Sequence, residues 1–166
     1  MNKLILLSLF AAAAFAQNVT RWAATTGDTS LSAAATTATI QQPASNGATV
    51  SIDQVVVYCS VACNVTQAAN GSAATTTAGT VTPIVPSPGN SVISATFWTA
   101  SNVGTGTAQG GITHIPAGST VVLCLSPQCG NTGQVVLGLG TSANYSVTIA
   151  SITGTVNITF YGRSIQ

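Results

Sequence analysis

Apolar and polar residues alternate most regularly near the end of the chain, between residues 143 and 161. Tyr145, Val147 and Ile149 are separated by polar residues, and a second alternating run follows Ser151. A period of two, with one apolar face and one face rich in Thr and Asn, is typical of a half-buried β-strand. The pattern predicts two consecutive strands, the second of which carries the apolar residues Ile152, Val156, Ile158 and Phe160.

Residues 49–59 give the strongest strand signal in the earlier part of the chain. Apolar or aromatic residues occupy both faces of this segment, with Val50, Ile52, Val56 and Tyr58 on one face and Val55 and Val57 on the other. A strand that is apolar on both faces belongs in the middle of a packed sheet. We therefore expect residues 49–59 to form a central strand.

The remaining strand signals are shorter and are separated by turns rich in Gly, Pro and Asn. They cover residues 33–42, 61–67, 73–82, 91–100, 112–115, 119–126 and 135–139. Many short strands without a helical segment indicate an all-β fold. The prediction is a two-sheet antiparallel β-sandwich.

The first residues have the pattern of a secretory signal peptide. Lys3 precedes an apolar run over residues 4–15, and Ala14 and Ala16 form a small-x-small cleavage site. The pattern predicts that residues 1–16 are removed and that the protein is secreted, either extracellular or at the cell surface. No other stretch approaches the roughly 18 apolar residues of a membrane-spanning helix, so no membrane span is expected after cleavage.

Residues 17–42 form an N-terminal arm with a weak strand, ahead of a β-sandwich domain over residues 43–166. The arm is β-prone and nearly uncharged, which is typical of a segment that adds to the sheet of a neighbour. The prediction is a donor strand. The alternative is that the same residues form the first strand of their own sheet.

Charged side chains are rare after the leader. Residues 17–166 contain only Arg21, Arg163, Asp28 and Asp53 as charged residues. Nucleic-acid binding needs several Lys or Arg residues to displace counterions from phosphates, so a nucleic-acid partner is not expected. A surface with so little charge lacks the repulsion that keeps small domains apart, which favours association with copies of itself. The alternative is a hydroxyl-rich monomer kept soluble by hydration.

The four cysteines form two closely spaced pairs. In an exported chain they indicate two disulfides, and the spacing favours Cys59–Cys63 and Cys124–Cys129 over long-range bridges. Neither pair has the spacing of a zinc finger, and no metal site is predicted.

Catalytic groups are equally scarce. Asp28, Asp53 and His114 are the main candidates for proton transfer near neutral pH, and no Gly-x-Ser-x-Gly motif accompanies them. We expect Asp53 at a polar edge or turn and His114 in a loop. No catalytic residues, no enzyme activity and no cofactor are predicted.

Exposed aromatic side chains are the candidates for sugar binding. Trp22 lies in the arm and Tyr161 on the polar phase of its strand, while Trp98 is equally compatible with either environment. Trp22, Trp98 and Tyr161 are the predicted ligand-facing aromatics, whereas Tyr145 follows the apolar phase and is expected in the core. These few separated aromatics make a weak platform for polysaccharide.

Residues 115–123, Ile-Pro-Ala-Gly-Ser-Thr-Val-Val-Leu, and a last strand over residues 155–161 resemble the late strands of jelly-roll domains. Such domains include C1q/TNF-like trimeric modules and structural proteins of virions and bacterial surfaces. The resemblance implies a two-sheet fold of about ten strands and non-enzymatic assembly. It carries over no functional residue.

These observations predict a secreted, non-enzymatic structural protein whose partner is itself, assembled by β-strand addition into a fibre, filament, layer or trimeric module. The alternative is a carbohydrate-binding or adhesive β-sandwich module that binds polysaccharide.

Overall fold

The computed structural model describes residues 19–42, 49–69, 77–84, 95–99, 107–125, 135–137 and 143–165. These residues form one antiparallel sheet of twelve strands, curled into a half-barrel, and no helix. The all-β prediction is confirmed, whereas a division into two sheets is not. The strands are β1 (Val19–Thr25), β2 (Thr29–Gln41), β3 (Thr49–Cys59), β4 (Cys63–Ala69), β5 (Thr77–Ala78), β6 (Val81–Pro83), β7 (Thr96–Thr99), β8 (Thr107–Ala108), β9 (Thr113–Ile115), β10 (Ser119–Cys124), β11 (Val135–Leu137) and β12 (Asn144–Ile165).

Strand β12 lies at the centre of the sheet and runs over 22 residues. β1 and β2 follow one another along one of its sides, and β3 and β4 follow one another along the other. The sequence predicted two strands here, and that prediction is wrong. The two alternating runs belong to one strand, because the β12–β2 ladder continues past Ile152 with register shifts instead of a turn.

The sheet bends where β1 gives way to β2 on one side of β12 and where β3 gives way to β4 on the other side. The register shifts in β12 lie between Ile149 and Gly154, β1 and β2 are separated by a turn in which Gly27 has a φ of +63°, and β3 meets β4 at a disulfide-bonded corner. Phe97 of β7 and Phe160 of β12 come from opposite sides of this bend. Their rings meet edge to face with centroids 5.9 Å apart, the arrangement that aromatic pairs prefer.

Residues 19–42 are integral to the sheet. All seven residues of β1 pair with β12, and β2 pairs with β12 along most of its length. Trp22, Ala24, Ala38 and Ile40 are buried in the core. In this structure the segment therefore forms strands of its own sheet, the alternative that the sequence left open.

Tyr145 is buried, as its apolar phase predicted. Its hydroxyl donates a hydrogen bond to Oε1 of Gln67. Burial raises the pKa of Tyr145 above its ordinary value of 10.0, so the phenol stays protonated and remains a donor. Because the pKa of Tyr145 is higher in the folded state than in the unfolded state, the protonated phenol contributes to the stability of the fold. This contribution is complete below pH about 10 and decreases above it.

The Cys59–Cys63 disulfide is confirmed and joins the end of β3 to the start of β4. Cys124 at the end of β10 is also disulfide-bonded. Cys129 lies outside the described residues, so the pairing Cys124–Cys129 stays a prediction.

Replacing Cys59 and Cys63 together by Ser is expected to lower the free energy of unfolding by about 2 kcal/mol, because a disulfide across so short a loop removes little chain entropy. Urea denaturation followed by circular dichroism measures the change. A loss above about 4 kcal/mol would show that the bond holds the bend of the sheet together rather than stiffening one corner.

The predicted signal peptide, residues 1–16, lies outside the described residues. Within the part of the chain that the structure describes, no helix is long and apolar enough to cross a membrane.

Candidate functional site

The three aromatic residues predicted to face a ligand lie in three different environments. Trp22 is 0% exposed, so the prediction that it faces a ligand is wrong: its ring packs in the core over Gly162, its partner in the β1–β12 ladder. Trp98 is half-buried, and its indole nitrogen is buried without a hydrogen-bond partner. Among the grooves formed by described residues, one is lined by Tyr161 and by neither tryptophan. The three residues do not form one sugar-binding platform.

The groove beside Tyr161 lies between β1, β3 and β12 and has a volume of about 260 Å³. Three of the four charged residues of positions 17–166 line it. We call this site the arginine groove. Its lining residues are Arg21, Asp53, Gln54, Ile84, Tyr161, Gly162 and Arg163.

A β-bulge brings Asp53 into the arginine groove. Tyr161 is opposite Gln54, but the next residue of β12, Gly162, is opposite Ile52, so Asp53 has no partner in the β3–β12 ladder. Bulges re-aim side chains in this way. The expectation of a polar edge or turn for Asp53 is therefore wrong, because β3 is an interior strand with neighbours on both sides.

The bulge places the Asp53 carboxylate against Arg163. Oδ1 of Asp53 accepts hydrogen bonds from Nη2 of Arg163 at 2.8 Å and from Nε at 3.1 Å. Both side chains are partly exposed, at 29% and 25%, so the pair contributes at most about 1 kcal/mol to folding. Its main effect is to fix the position of both groups.

Arg21 gives the arginine groove an excess positive charge. It stands directly opposite Arg163 in the β1–β12 ladder, an arrangement of like charges that is unfavourable. Asp53 neutralises Arg163, whereas Arg21 is exposed and makes no ion pair with any described residue. The groove therefore combines two guanidinium groups with one carboxylate.

A second groove, of about 360 Å³, contains His114 and lies beside the Cys59–Cys63 disulfide. His114 belongs to β9, not to a loop as predicted, and its Nδ1 is 2.6 Å from Oδ1 of Asn64. Its ring therefore bonds to an amide and not to a carboxylate or a serine, as a catalytic triad would require. The described residues contain no group of three or more His, Cys, Asp or Glu that could hold a metal ion.

Strands β10 and β11 form what we call the open edge of the sheet. Both pair with β3, and neither pairs with another strand of the described part of the chain. Their outward-facing side chains include Val122 and Val136, which are 54% and 49% exposed. Neither strand contains a charged residue or a proline.

The backbone of β10 offers hydrogen-bonding groups along the open edge. The N–H of Leu125, just after β10, donates to a carbonyl of β3 at 2.9 Å. Hydrogen-bonded positions alternate in an antiparallel ladder, so Thr120 and Val122 direct their N–H and C=O groups away from β3. These groups are the ones that an added strand would use.

No family model matches the chain, and neither a curated protein nor a solved structure matches it. The resemblance to jelly-roll domains therefore stays a prediction.

Proposed function

We propose that this chain is a secreted, non-enzymatic structural protein that associates with copies of itself through the open edge. The observation that carries the proposal is an uncharged, valine-bearing edge on a chain that has four charged residues after its leader. The bend divides the sheet into two parts, whose inner faces meet at Phe97 and Phe160. In this proposal the two parts correspond to the two layers of a sandwich.

Natural proteins protect exposed strand edges with charges, prolines or bulges. β10 has none of these, and it carries the β-branched run Thr120, Val121 and Val122. An unprotected edge of this kind is a template for another strand. A second copy of the chain is the favoured occupant because it brings the same uncharged edge and the same near absence of electrostatic repulsion.

Strand addition at β10 gives two kinds of assembly. Antiparallel pairing of β10 with β10 of a second copy is self-complementary and closes into a two-fold dimer. Pairing of β10 with a different edge, such as that of β6, repeats without closing and gives a filament. In both cases main-chain hydrogen bonds supply affinity and alternate side chains supply the fit.

Replacing Val122 by Pro is expected to abolish association and leave the fold intact. Proline removes an N–H that faces away from β3, and edge strands tolerate proline at such positions. Val122→Lys tests the same edge by adding a charge. The mass from light scattering should fall to that of a monomer for both variants, with an unchanged circular dichroism spectrum.

Ile112→Lys is the matched control, because Ile112 is 59% exposed and lies outside the open edge. This variant should keep the mass of the wild-type protein. Wild-type mass in both Val122 variants, or equal loss in the control, would overturn the open edge as the interface.

Carbohydrate binding is the second candidate function, and the arginine groove favours it. Tyr161 supplies a ring beside several polar side chains in a concave site, which is the composition of many ligand sites. Trp22 is not part of this candidate, because it is buried.

A further inference from the structure

We propose that the arginine groove binds a sugar ring that carries a carboxylate, such as a uronic acid unit of a polysaccharide. The assignment rests on the carbohydrate-binding candidate and names its substrate class. It does not depend on association through the open edge, since no residue of β10 or β11 lines the groove.

The charges in the groove fit a single negative charge. Arg21 and Arg163 stand opposite each other across two paired strands, and Asp53 neutralises only Arg163. A carboxylate placed between the arginines relieves the repulsion between like charges. Guanidinium groups also match carboxylates well, because their N–H donors form a planar fork.

Asp53 favours a ligand that carries hydroxyl groups as well as the charge. Its carboxylate is an acceptor, and it lies in the same groove as the amide of Gln54. A sugar hydroxyl can donate to the Asp53 carboxylate and to the amide oxygen of Gln54. One ligand carboxylate balances the single excess positive charge of the groove, whereas a dianionic phosphate monoester would leave the groove with a net negative charge. The combination selects a monoanion with neighbouring hydroxyls.

The apolar part of the groove and its size favour one ring. Tyr161 offers an aromatic surface, and Ile84 is 51% exposed at the rim. The N–H of Ile84 donates to the carbonyl of Arg21 at 3.0 Å, which holds the two residues together. The volume of about 260 Å³ lies below the roughly 300–1,000 Å³ of sites for drug-sized ligands.

Titration calorimetry of the purified protein with oligogalacturonate and with its methyl ester tests the assignment, because the two probes share a sugar and differ in charge. We expect the acid to bind at least about tenfold more tightly than the ester. Arg21→Gln should weaken binding of the acid by at least about tenfold, since it removes hydrogen bonds to a charged group. Thr107→Asp, an exposed site in β8, lowers the net charge equally and should leave binding unchanged.

Any one of four results would overturn the assignment. These are equal affinity for the acid and its ester, equal effects of Arg21→Gln and Thr107→Asp, absence of binding, and displacement of the acid by inorganic phosphate. Light scattering of the same samples measures association through the open edge separately from ligand binding in the arginine groove. Arg21→Gln should keep the mass of the wild-type protein while it binds the acid at least about tenfold more weakly. Val122→Pro should lose association while it keeps the ligand.

Discussion

Replacement of Trp22 by Ala is expected to lower the free energy of unfolding by about 3–5 kcal/mol. Trp22 is the largest fully buried side chain, and β1 holds it over Gly162 of β12. Its removal leaves a cavity in the core at the point where the first strand joins the central strand. Urea denaturation followed by far-ultraviolet circular dichroism measures the loss.

Two further substitutions define the reason for this loss. Trp22→Phe should cost less, because the indole nitrogen of Trp22 is buried without a hydrogen-bond partner and Phe loses no bond there. Trp98→Ala, at a half-buried site, should also cost less than Trp22→Ala. If Trp22→Ala left stability within about 0.5 kcal/mol of the wild type, as an exposed residue would, the integration of residues 19–42 into the sheet would be contradicted.

Replacement of Gly162 by Ala is expected to cost about 3 kcal/mol, in the upper part of the range for overpacked cores. A Cβ atom at this position would lie 2.4 Å from the carbonyl oxygen of Ser51 and 2.4 Å from Cζ2 of Trp22. The carbonyl belongs to the neighbouring strand, so relief requires movement of backbone as well as of a large ring. The measurement is the shift in the midpoint of urea denaturation.

Gly111→Ala is the matched control. No atom lies within 4 Å of a Cβ atom built there, and the backbone is not left-handed. This change should alter stability by less than about 0.5 kcal/mol. If Gly162→Ala lowered the free energy of unfolding as little as Gly111→Ala does, the contact between Trp22 and β12 would not be tight.

The patterns of the sequence predicted the strands of the central part well and their connections less well. The alternation over Tyr145, Val147 and Ile149 and that over Val156, Ile158 and Phe160 are both present in β12, and both sets are buried. The buried residues have odd numbers in the first run and even numbers in the second, and this change of phase was interpreted as a break between two strands. In the structure the ladder continues through it, because register shifts absorb the change where the sheet bends.

The central position of residues 49–59 is confirmed, since β3 lies between β10 and β12, and the Asp53 bulge explains why the faces of this strand were assigned wrongly. The sequence pattern placed apolar residues of this segment on two faces. In the structure the fully buried apolar residues are Val50, Ile52, Val55, Val57 and Cys59, whereas Val56 and Tyr58 are partly exposed. The bulge at Asp53 shifts the phase between Ile52 and Val55, which brings the even-numbered residues before it and the odd-numbered residues after it to one face. No local sequence signal distinguishes this bulge from a strand buried on both sides.

The arginine groove was beyond prediction from the sequence because its residues are distant along the chain. Arg21, Asp53 and Arg163 meet only through the registers of β1 and β3 on β12. The scarcity of charge was visible, and it could have prompted the question of whether the few charged residues meet. The burial of Trp22 was hidden for a related reason, since a single tryptophan in the predicted arm has no periodicity to place it.

The most direct test of the proposed function is the mass of the wild-type protein by light scattering across a wide range of concentration. Association through the open edge predicts a dimer or a larger assembly, with filaments visible by electron microscopy if the pairing does not close. A monomer at every concentration would contradict the proposal and would leave the arginine groove as the functional site.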